Sequence, residues 1–326
     1  MQKKIPISDL KPGMYVNLPS AWYAHPFLRN SFTITSEKQI QKLIDHGIEY
    51  VIIDIVKGEP YIHPDKEIEE PEKDFTSDLQ TVASENLLEV IADKKMPPSE
   101  RARAIHNHSV QMLEGLWENP DGDKIAEFKK TVCSVVDLVF SDDTVSSHLL
   151  KITSYDYNTY IHSVNVGILA TALAKEILRK QDRHDMHALG AGFFLHDIGK
   201  VNVDEAIINK QGKLTEEEMD MMRKHPARGF KLLNDTKQIT IESRLIVLQH
   251  HERDDGRGYP RRLRGEDIHI YGRICSVADV FDALVSKRPY KSKLKPFDAL
   301  KLMKEEMLAH FHKDVFEKFV LLFRKD

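Results

Sequence analysis

Seven histidine and aspartate residues between residues 160 and 280 of this 326-residue chain lie beside apolar runs. Imidazole and carboxylate groups without thiolate are ligands that suit borderline divalent metals such as iron, manganese, nickel or zinc. There are more candidate ligands than one catalytic ion needs, and two ions that share a carboxylate would use them better. The pattern therefore predicts a two-metal centre. The candidate ligands are His162, His196, Asp197, His225, His250, His251 and Asp279.

His162 lies in YNTYIHSVNVGILATALAKEIL, a segment that is apolar on nearly every side of a helix and is therefore expected to be buried. Taken alone, it reads as a core histidine bonded to a backbone carbonyl. His196 and Asp197 follow the apolar run FFL, where an ionised carboxylate is costly unless a cation meets it. The competing interpretation is a capping aspartate and an exposed histidine, with Gly199 as a helix stop.

His225 is predicted late in a helix that begins with a capping box of Thr215 and Glu218, just before Pro226. The competing interpretation is a cation favoured near a helix C-terminus. His250 and His251 stand together in HHERDDGRGYP, after an apolar segment. Adjacent histidines on a surface carry no meaning by themselves, but two neighbouring side chains at a helix end can serve one metal.

The remaining histidines lack this apolar setting, and we interpret them as ordinary residues. They are His25, His46, His63, His106, His108, His148, His184, His187, His269, His310 and His312.

Helix-period patterns dominate from about residue 124 onward, so helices must position the candidate ligands. Before them, residues 76–117 have helical spacing that is interrupted at Pro97-Pro98, and a second interruption falls at residues 119–122. Residues 59–74 are charged and rich in proline, which is typical of a linker.

The N-terminal segment has a different pattern. Residues 3–18 predict two short strands joined at Lys11-Pro12-Gly13. A helix capped by Thr35 or Ser36 follows, with Ile40, Leu43 and Ile44 as its apolar face and Gly47 as its stop, and Ile48–Ile55 is predicted as a strand. We expect a multidomain chain with a small α/β domain at 1–60, a linker with connecting helices at 61–129 and an all-α domain at 130–326.

The bulk composition restricts the function classes. The net charge is −4, so no basic excess argues for a long nucleic-acid partner. The two cysteines are too few for a disulfide framework. We find neither an apolar signal-peptide core nor a run of the ~18 apolar residues that a membrane span needs. A cytoplasmic protein without a membrane span is expected.

The motifs LHDIGK, HHERDDGRGYP and VADVFDALVSKRPY resemble those of the HD-GYP family, a branch of the HD metal-dependent phosphohydrolases. The resemblance covers about residues 130–326. Residues 3–57 also resemble a small uncharacterised domain that often precedes HD-GYP domains in bacteria. The resemblance implies an all-helical enzyme that hydrolyses cyclic dinucleotides, chiefly cyclic di-GMP, by metal-assisted attack on a phosphodiester bond.

Carried over residue by residue, the resemblance implies that the seven candidate ligands hold two divalent ions, iron or manganese first and nickel or zinc as alternatives, with Asp197 between them. Asp197 and Lys200 are the implied catalytic residues. The implied substrate contacts are Lys200, Gly258, Tyr259, Arg288 and Lys291.

This sequence departs from the family pattern at two places. Some members carry a glutamate one helical turn before the first histidine, which helps to hold a third metal, and here Asn158 stands there. Asparagine is a weaker ligand, so two metals are expected rather than three. The signature tail often runs Pro-x-Gly-Leu, whereas here Arg262 replaces the glycine.

Several alternatives stay open at this point. The chain could be another HD-type phosphohydrolase, a di-iron oxygenase, or a receptor that binds a cyclic dinucleotide without cleaving it. The sequence does not distinguish cyclic di-GMP from a mixed GMP-AMP ring, or show whether hydrolysis stops at the linear dinucleotide. A homodimer and a signalling-protein partner on the signature loop around Gly256, Gly258, Tyr259 and Pro260 (the GYP loop) are both compatible with the sequence.

Overall fold

The structure is a computed structural model, and it describes residues 2–18, 31–45, 48, 50–54, 75–152, 159–179, 184–210, 212–286 and 294–324. The chain divides into two compact units, Met1–Asp78 and Leu79–Asp326. The predicted boundary at residue 60 and the predicted linker at 59–74 lie outside the described residues, so the predicted domain limits stay predictions.

The N-terminal unit contains a four-stranded antiparallel sheet in the order β1-β4-β2-β3. Its elements are β1 (Gln2–Pro6), β2 (Tyr15–Asn17), β3 (Ser31–Thr33), helix α1 (Glu37–Asp45) and β4 (Tyr50–Asp54). Apolar side chains from the strands and from α1 form a core of their own, centred on Val16, Leu43 and Ile53. The predicted small α/β domain is therefore confirmed.

Details of this unit differ from the sequence prediction. Both strands around Pro12-Gly13 are present, and Gly13 has a φ of 97°, but β4 lies between them in the sheet. Ile40 and Leu43 are buried as expected, whereas Ile44 is 44% exposed because the core meets only the stripe formed by the other two. Strand β4 begins at Tyr50, two residues later than predicted. Gly47 and Ile55 lie outside the described residues.

The second unit is built from helices. Their bounds are α2 Phe75–Ala92 (whose first turn precedes the unit boundary), α3 Pro98–Glu118, α4 Gly122–Ser141, α5 Asp143–Lys151, α6 Thr159–Leu178, α7 Met186–Phe194, α8 Glu205–Ile208, α9 Glu216–Met222, α10 His225–Asp235, α11 Ile241–Gln249, α12 Ile270–Val285, α13 Pro296–Glu306 and α14 Lys313–Leu321. The predicted interruptions are confirmed, since α3 begins at Pro98 and Asp121 caps α4 by accepting a hydrogen bond from the Lys124 amide.

Helix α6 lies at the centre of this unit and packs against α7 and α12. Its side chains are buried on every side, as its unbroken apolar pattern predicts. Among the described residues it is the one helix with the length and hydropathy of a membrane span, yet 89% of that apolar stretch is buried inside the protein. Helix α6 is therefore a core helix that can hold a polar side chain away from water.

Candidate metal centre

The seven predicted ligands come from five places in the helical unit and converge on one site. His162 lies on α6 and Asp279 on α12, while the other five lie at helix ends. Their ligand atoms form two groups in which all atoms lie within 4.8 Å of one another. One group contains Asp197, His225, His250 and His251, and the other contains His162, His196 and Asp279.

His196 and Asp197 follow the end of α7 at Phe194 and precede the 3₁₀ turn Ile198–Asn202. The interpretation of Gly199 as a helix stop is wrong, because this residue lies inside that turn. A Cβ on Gly199 would lie 2.0 Å from the carbonyl oxygen of His225 and 2.4 Å from the amide nitrogen of Gly229. Gly199 therefore lets the turn that carries Asp197 lie directly against α10.

His225 begins α10 and does not lie late in the preceding helix, so that prediction is wrong. The capping box of Thr215 and Glu218 is present as predicted, but α9 ends at Met222. Proline is tolerated in the first turn of a helix because its missing amide hydrogen would have no partner there. Pro226 accordingly lies in the first turn of α10, and the break between α9 and α10 places the His225 ring in the site.

His250 caps the C-terminal end of α11, and His251 follows it. Their ring centroids lie 4.2 Å apart, and both residues belong to the ligand group of Asp197 and His225. The prediction that the two adjacent histidines lie at a helix end and face one site is confirmed in geometry, although metal binding by them stays a proposal.

Four of the rings are held in a common orientation by hydrogen bonds from Nδ1. His196 donates to the Phe193 carbonyl at 2.8 Å, His225 to the Met222 carbonyl at 2.8 Å, and His250 to the Val247 carbonyl at 3.0 Å. His162 donates to the carboxylate of Asp282 at 2.7 Å. A neutral imidazole with its hydrogen on Nδ1 has a lone pair on Nε2. The four Nε2 atoms therefore face the site with lone pairs that are available to a metal ion.

Asp197 lies between the two groups, with one carboxylate oxygen toward each. Its Oδ1 is 3.2 Å from His225 Nε2 and 3.7 Å from His250 Nε2. Its Oδ2 is 3.5 Å from His196 Nε2 and 3.8 Å from His162 Nε2. This arrangement is what a carboxylate shared between two ions requires.

Asp279 spans the two groups in a similar way, which the sequence did not reveal. Its Oδ1 is 3.0 Å from His162 Nε2, and its Oδ2 is 3.3 Å from His251 Nδ1. Two carboxylates thus each contact imidazoles of both groups. One carboxylate lies in the turn after α7 and the other on helix α12.

Burial determines the protonation of the site. It lowers the pKa of His225 to about 4 and that of His196 below its ordinary value, so both rings are neutral near pH 7. Burial and neighbouring His250 also lower the pKa of His251. Burial acts to raise the pKa of Asp197, but Lys200 and His196 hold it well below its usual range. Neutral imidazoles and an ionised carboxylate are the forms that bind metal.

The donor set fits a pair of divalent cations. Among the described residues, His196 Nε2 and Asp197 Oδ1 are buried without a hydrogen-bond partner, and both face the site. His225 Nε2 and His250 Nε2 lie only 3.1 Å apart. Two nitrogens that bind one ion at ~2.0–2.1 Å are about 3 Å apart, so a cation relieves the repulsion between two lone pairs.

Lys200 lies in the 3₁₀ turn after Asp197, and its ammonium group contacts Asp197 Oδ2. The predicted neighbourhood of Lys200 is therefore present in the structure. Its roles in catalysis and in phosphate binding stay predictions.

The GYP loop forms one wall of the site. The ring of Tyr259 lies 4.6 Å from that of His251 at an angle of 31°, and 6.3 Å from that of His225. Gly258 is buried, and a Cβ there would lie 2.5 Å from both the Arg253 amide nitrogen and the His251 carbonyl oxygen. The loop's own packing therefore requires glycine at position 258, and substrate contact by Gly258 and Tyr259 stays a prediction.

Glu252 holds the tail of this loop and was missed by the sequence analysis. It is buried, and its two carboxylate oxygens accept hydrogen bonds from the amides of Arg261 at 2.7 Å and Leu263 at 2.9 Å. The sequence shows only an acid that follows two histidines, and the amides that it binds lie nine and eleven residues further along the chain, so no local pattern reveals this role.

Three residues of the sequence argument lie outside the described residues. They are Asn158, Arg288 and Lys291. The expectation of an absent third metal and the predicted phosphate contacts therefore stay predictions.

Comparisons with known proteins agree with this site. A family model described as HD domain matches residues 143–315, and one described as a domain of unknown function (DUF3391) matches residues 2–123. The predicted resemblance of both parts of the chain is thereby confirmed.

Curated relatives and a solved structure are similar over different lengths. Cyclic di-GMP phosphodiesterase PA4108 of Pseudomonas aeruginosa is 31% identical over 98% of this chain and 76% of its own length. The 3'3'-cGAMP-specific phosphodiesterase 2 of Vibrio cholerae is 49% identical over 30% of this chain and 19% of its own length.

The fold is shared with a solved structure, Bd1817, an HDG"Y"P protein from Bdellovibrio bacteriovorus. The TM-score is 0.67 at 19% identity, over 99% of this chain and 100% of that chain. Together with the match of the HD domain model to more than half of the sequence, these similarities show that the chain belongs to the HD-GYP family.

Proposed function

We propose that this chain is a phosphodiesterase that hydrolyses a cyclic dinucleotide with the help of two divalent ions. The observation that carries the proposal is the position of Asp197 and Asp279, each of which faces both groups of ligand imidazoles. The names of the relatives support the substrate class, since they include a cyclic di-GMP and a 3'3'-cGAMP phosphodiesterase.

Two divalent ions bound together would supply an activated water and would stabilise the negative charge that develops on the phosphoryl oxygens. We propose that all seven candidate residues hold them, with iron or manganese as the first choice and nickel or zinc as alternatives. The buried histidines can do this at neutral pH because low pKa values keep His196, His225 and His251 unprotonated.

The surrounding side chains orient the substrate. Lys200 contacts Asp197, so its ammonium group lies close enough to the centre to interact with a phosphate bound there. Tyr259 covers His251 and offers an aromatic face to a base at the same edge. We assign the second phosphate of the ring to Arg288 and Lys291, because the ions can engage only the phosphate that is cut and a guanidinium suits phosphate oxygens.

A turnover assay tests the function. Protein loaded with Mn²⁺ or Fe²⁺ under anaerobic conditions is offered cyclic di-GMP and 3'3'-cGAMP, and the products are separated by chromatography. We expect a linear dinucleotide or mononucleotides without dioxygen, and loss of turnover on chelation. Tight binding of the ring without cleavage by fully loaded protein would show a receptor, and a product that forms only with dioxygen would show an oxygenase.

We expect this activity in the cytoplasm, where cyclic dinucleotides are signals. A homodimer and a signalling protein that binds the GYP loop stay predictions. Cyclic di-GMP and 3'3'-cGAMP differ at one base, and the ratio of the turnover rates on these two substrates shows which one is preferred.

A further inference from the structure

A chain of buried polar side chains leads from the metal centre to helix α3. Nδ1 of His162 is 2.7 Å from Asp282 Oδ2, and Asp282 Oδ1 is 2.8 Å from Asn165 Nδ2. Asn165 Oδ1 is in turn 2.7 Å from Nε2 of His106 on α3. Three helices, α6, α12 and α3, are thus connected by short hydrogen bonds that begin at a candidate metal ligand.

Only one placement of the hydrogen atoms is compatible with all three of these hydrogen bonds. The carboxylate of Asp282 can only accept, so it receives hydrogens from His162 Nδ1 and from the Asn165 amide. The Asn165 oxygen must then face His106, and His106 must donate from Nε2. Each bond consequently fixes the direction of the next, and the lone pair of His162 Nε2 faces the centre.

The four side chains that form this series of hydrogen bonds are isolated from solvent. His162, Asn165, Asp282 and His106 are all at least 93% buried. Burial also lowers the pKa of His106, so its ring is neutral and has one hydrogen to donate. In such a setting an unmade hydrogen bond is costly, because water cannot replace the missing partner.

His106 lies outside the part of the chain that matches the HD domain. The HD model covers residues 143–315, whereas the model for the N-terminal domain of unknown function extends to residue 123 and includes the whole of α3. A residue contributed by the segment before the HD domain therefore bonds into the support of a ligand within it.

We propose that His106 is a positioning residue for the metal centre: through Asn165 and Asp282 it fixes the ring of His162 with Nε2 toward the ions. This inference rests on the proposed two-metal function. It assigns to α3 a part in setting metal affinity, since a shift of α3 breaks the hydrogen bond between His106 and Asn165 and frees the Asn165 amide to rotate.

The test compares variants that remove or restore the hydrogen-bond donor at position 106. His106→Leu removes it, and His106→Gln restores an N–H at the position of Nε2. His108→Leu is the matched control, because His108 lies on the same helix and bonds to Gln111 of that helix. The affinity for Co²⁺ is measured by competition with a chromophoric chelator, and the visible absorption of bound Co²⁺ reports its ligand geometry.

We expect His106→Leu to weaken Co²⁺ binding about 2- to 10-fold and to shift the absorption bands. Asp282→Ala should cost about 10- to 100-fold, whereas His106→Gln and His108→Leu should stay within about 2-fold of the wild-type protein. In the Asp282→Ala background, His106→Leu should have no further effect, because its route to His162 is already cut.

Two results overturn the proposal. One is an equal affinity of the His106→Leu and His108→Leu variants. The other is a loss that persists in the Asp282→Ala background, which would show that His106 acts through the stability of the fold.

A separate measurement on metal-free protein distinguishes this proposal from the proposed function. Spectra of ¹⁵N-labelled histidine rings report which nitrogen carries the hydrogen. We expect His162, assigned by the signal lost in His162→Gln, to be the Nδ1–H form, and the His106→Leu and Asp282→Ala variants to gain the other form. An unchanged His162 signal in the His106→Leu variant overturns the positioning role, whereas failure of the wild-type protein to bind any divalent ion overturns the two-metal function.

Discussion

The Nε2 atoms of His225 and His250 lie 3.1 Å apart, although each ring donates its Nδ1 hydrogen to a carbonyl of the preceding turn. Two lone pairs at this distance repel each other unless a cation lies between them. Helix ends and buried backbone bonds hold both rings in place, so the site cannot relax easily. A divalent cation bound between the two rings would remove this repulsion.

Metal removal is therefore expected to destabilise the protein. A ligand present at 100 times its Kd contributes about 2.7 kcal/mol, which corresponds to roughly 5–10 °C in Tm for a unit of this size. Elemental analysis and thermal unfolding before and after chelation measure both effects. We expect at least two ions per chain, and a reconstituted protein that holds one ion and shows no shift in Tm contradicts the two-metal centre.

Asp197→Ala is expected to reduce turnover by roughly 10³-fold or more, because both groups of imidazoles lose the carboxylate between them. His184→Ala is the control, since His184 bonds to the hydroxyl of Tyr271 away from the centre. That variant should keep activity within about 2-fold of the wild-type protein. Rates on the cyclic dinucleotide give the comparison, and the reverse pattern would show that the wrong histidines were selected.

Much of the fold could be predicted from the sequence because the residues that begin and end its helices act locally. The prolines before α3, the Asp121 cap and the Thr215–Glu218 capping box act within one helical turn and were recognised. The break between α9 and α10 was missed, because nothing in the sequence between Met222 and Pro226 excludes a continuous helix. The position of β4 between β1 and β2 is a long-range pairing that no local pattern contains.

The candidate ligands could be found because a metal centre concentrates residue types that apolar helices otherwise avoid. Their supports could not be found in this way. Asp282 and Glu252 are ordinary acids in the sequence, and His106 was interpreted as one of the ordinary histidines. Their roles depend on distances between elements that are far apart along the chain, such as the 2.7 Å from His106 to Asn165.

Arg288→Ala is expected to reduce kcat/KM for a cyclic dinucleotide about 10- to 150-fold, because a charge-assisted contact to phosphate is worth roughly 1.5–3 kcal/mol. A small aryl phosphodiester lacks the second phosphate and should be cleaved at an unchanged rate. Equal losses on both substrates would place Arg288 at the phosphate that is cut. An unchanged rate on both would show that Arg288 contacts neither phosphate.

Glu252→Gln is expected to loosen the GYP loop while the metals stay bound. The glutamine amide has one acceptor oxygen, so one of the two amides that Glu252 now binds, Arg261 or Leu263, loses its partner. Hydrogen–deuterium exchange should become faster in residues 256–264 and stay unchanged in α6. Metal content should equal that of the wild-type protein. Unaltered exchange in the loop would show that the Glu252 carboxylate does not hold it in place.

Glu114 on α3 gives the stability of the helical unit a pH dependence of its own. Burial and the neighbouring charge of Glu118 raise its pKa from 4.5 to about 7. A carboxyl whose pKa is raised by folding is tolerated fully below its unfolded value and becomes unfavourable as pH rises through its folded value. Between pH 4.5 and 7 the free energy of unfolding therefore falls, because the side chain ionises in the unfolded chain but stays protonated in the folded one. Above pH 7 it is ionised in both states and the loss is constant.

Glu114→Gln is neutral at every pH and should remove this loss. Each unit between the two pKa values corresponds to about 1.36 kcal/mol, which sets an upper bound of roughly 3.4 kcal/mol above pH 7, and the partial exposure of the side chain reduces it. Denaturant unfolding of the metal-loaded protein at pH 5, 6, 7 and 8 gives the difference between variant and wild type. We expect the difference to grow up to pH 7 and then to level off. The same substitution at the exposed Glu305 of α13 is the control and should give no such rise; a difference for Glu114→Gln that does not change with pH would show that its carboxyl is ionised throughout.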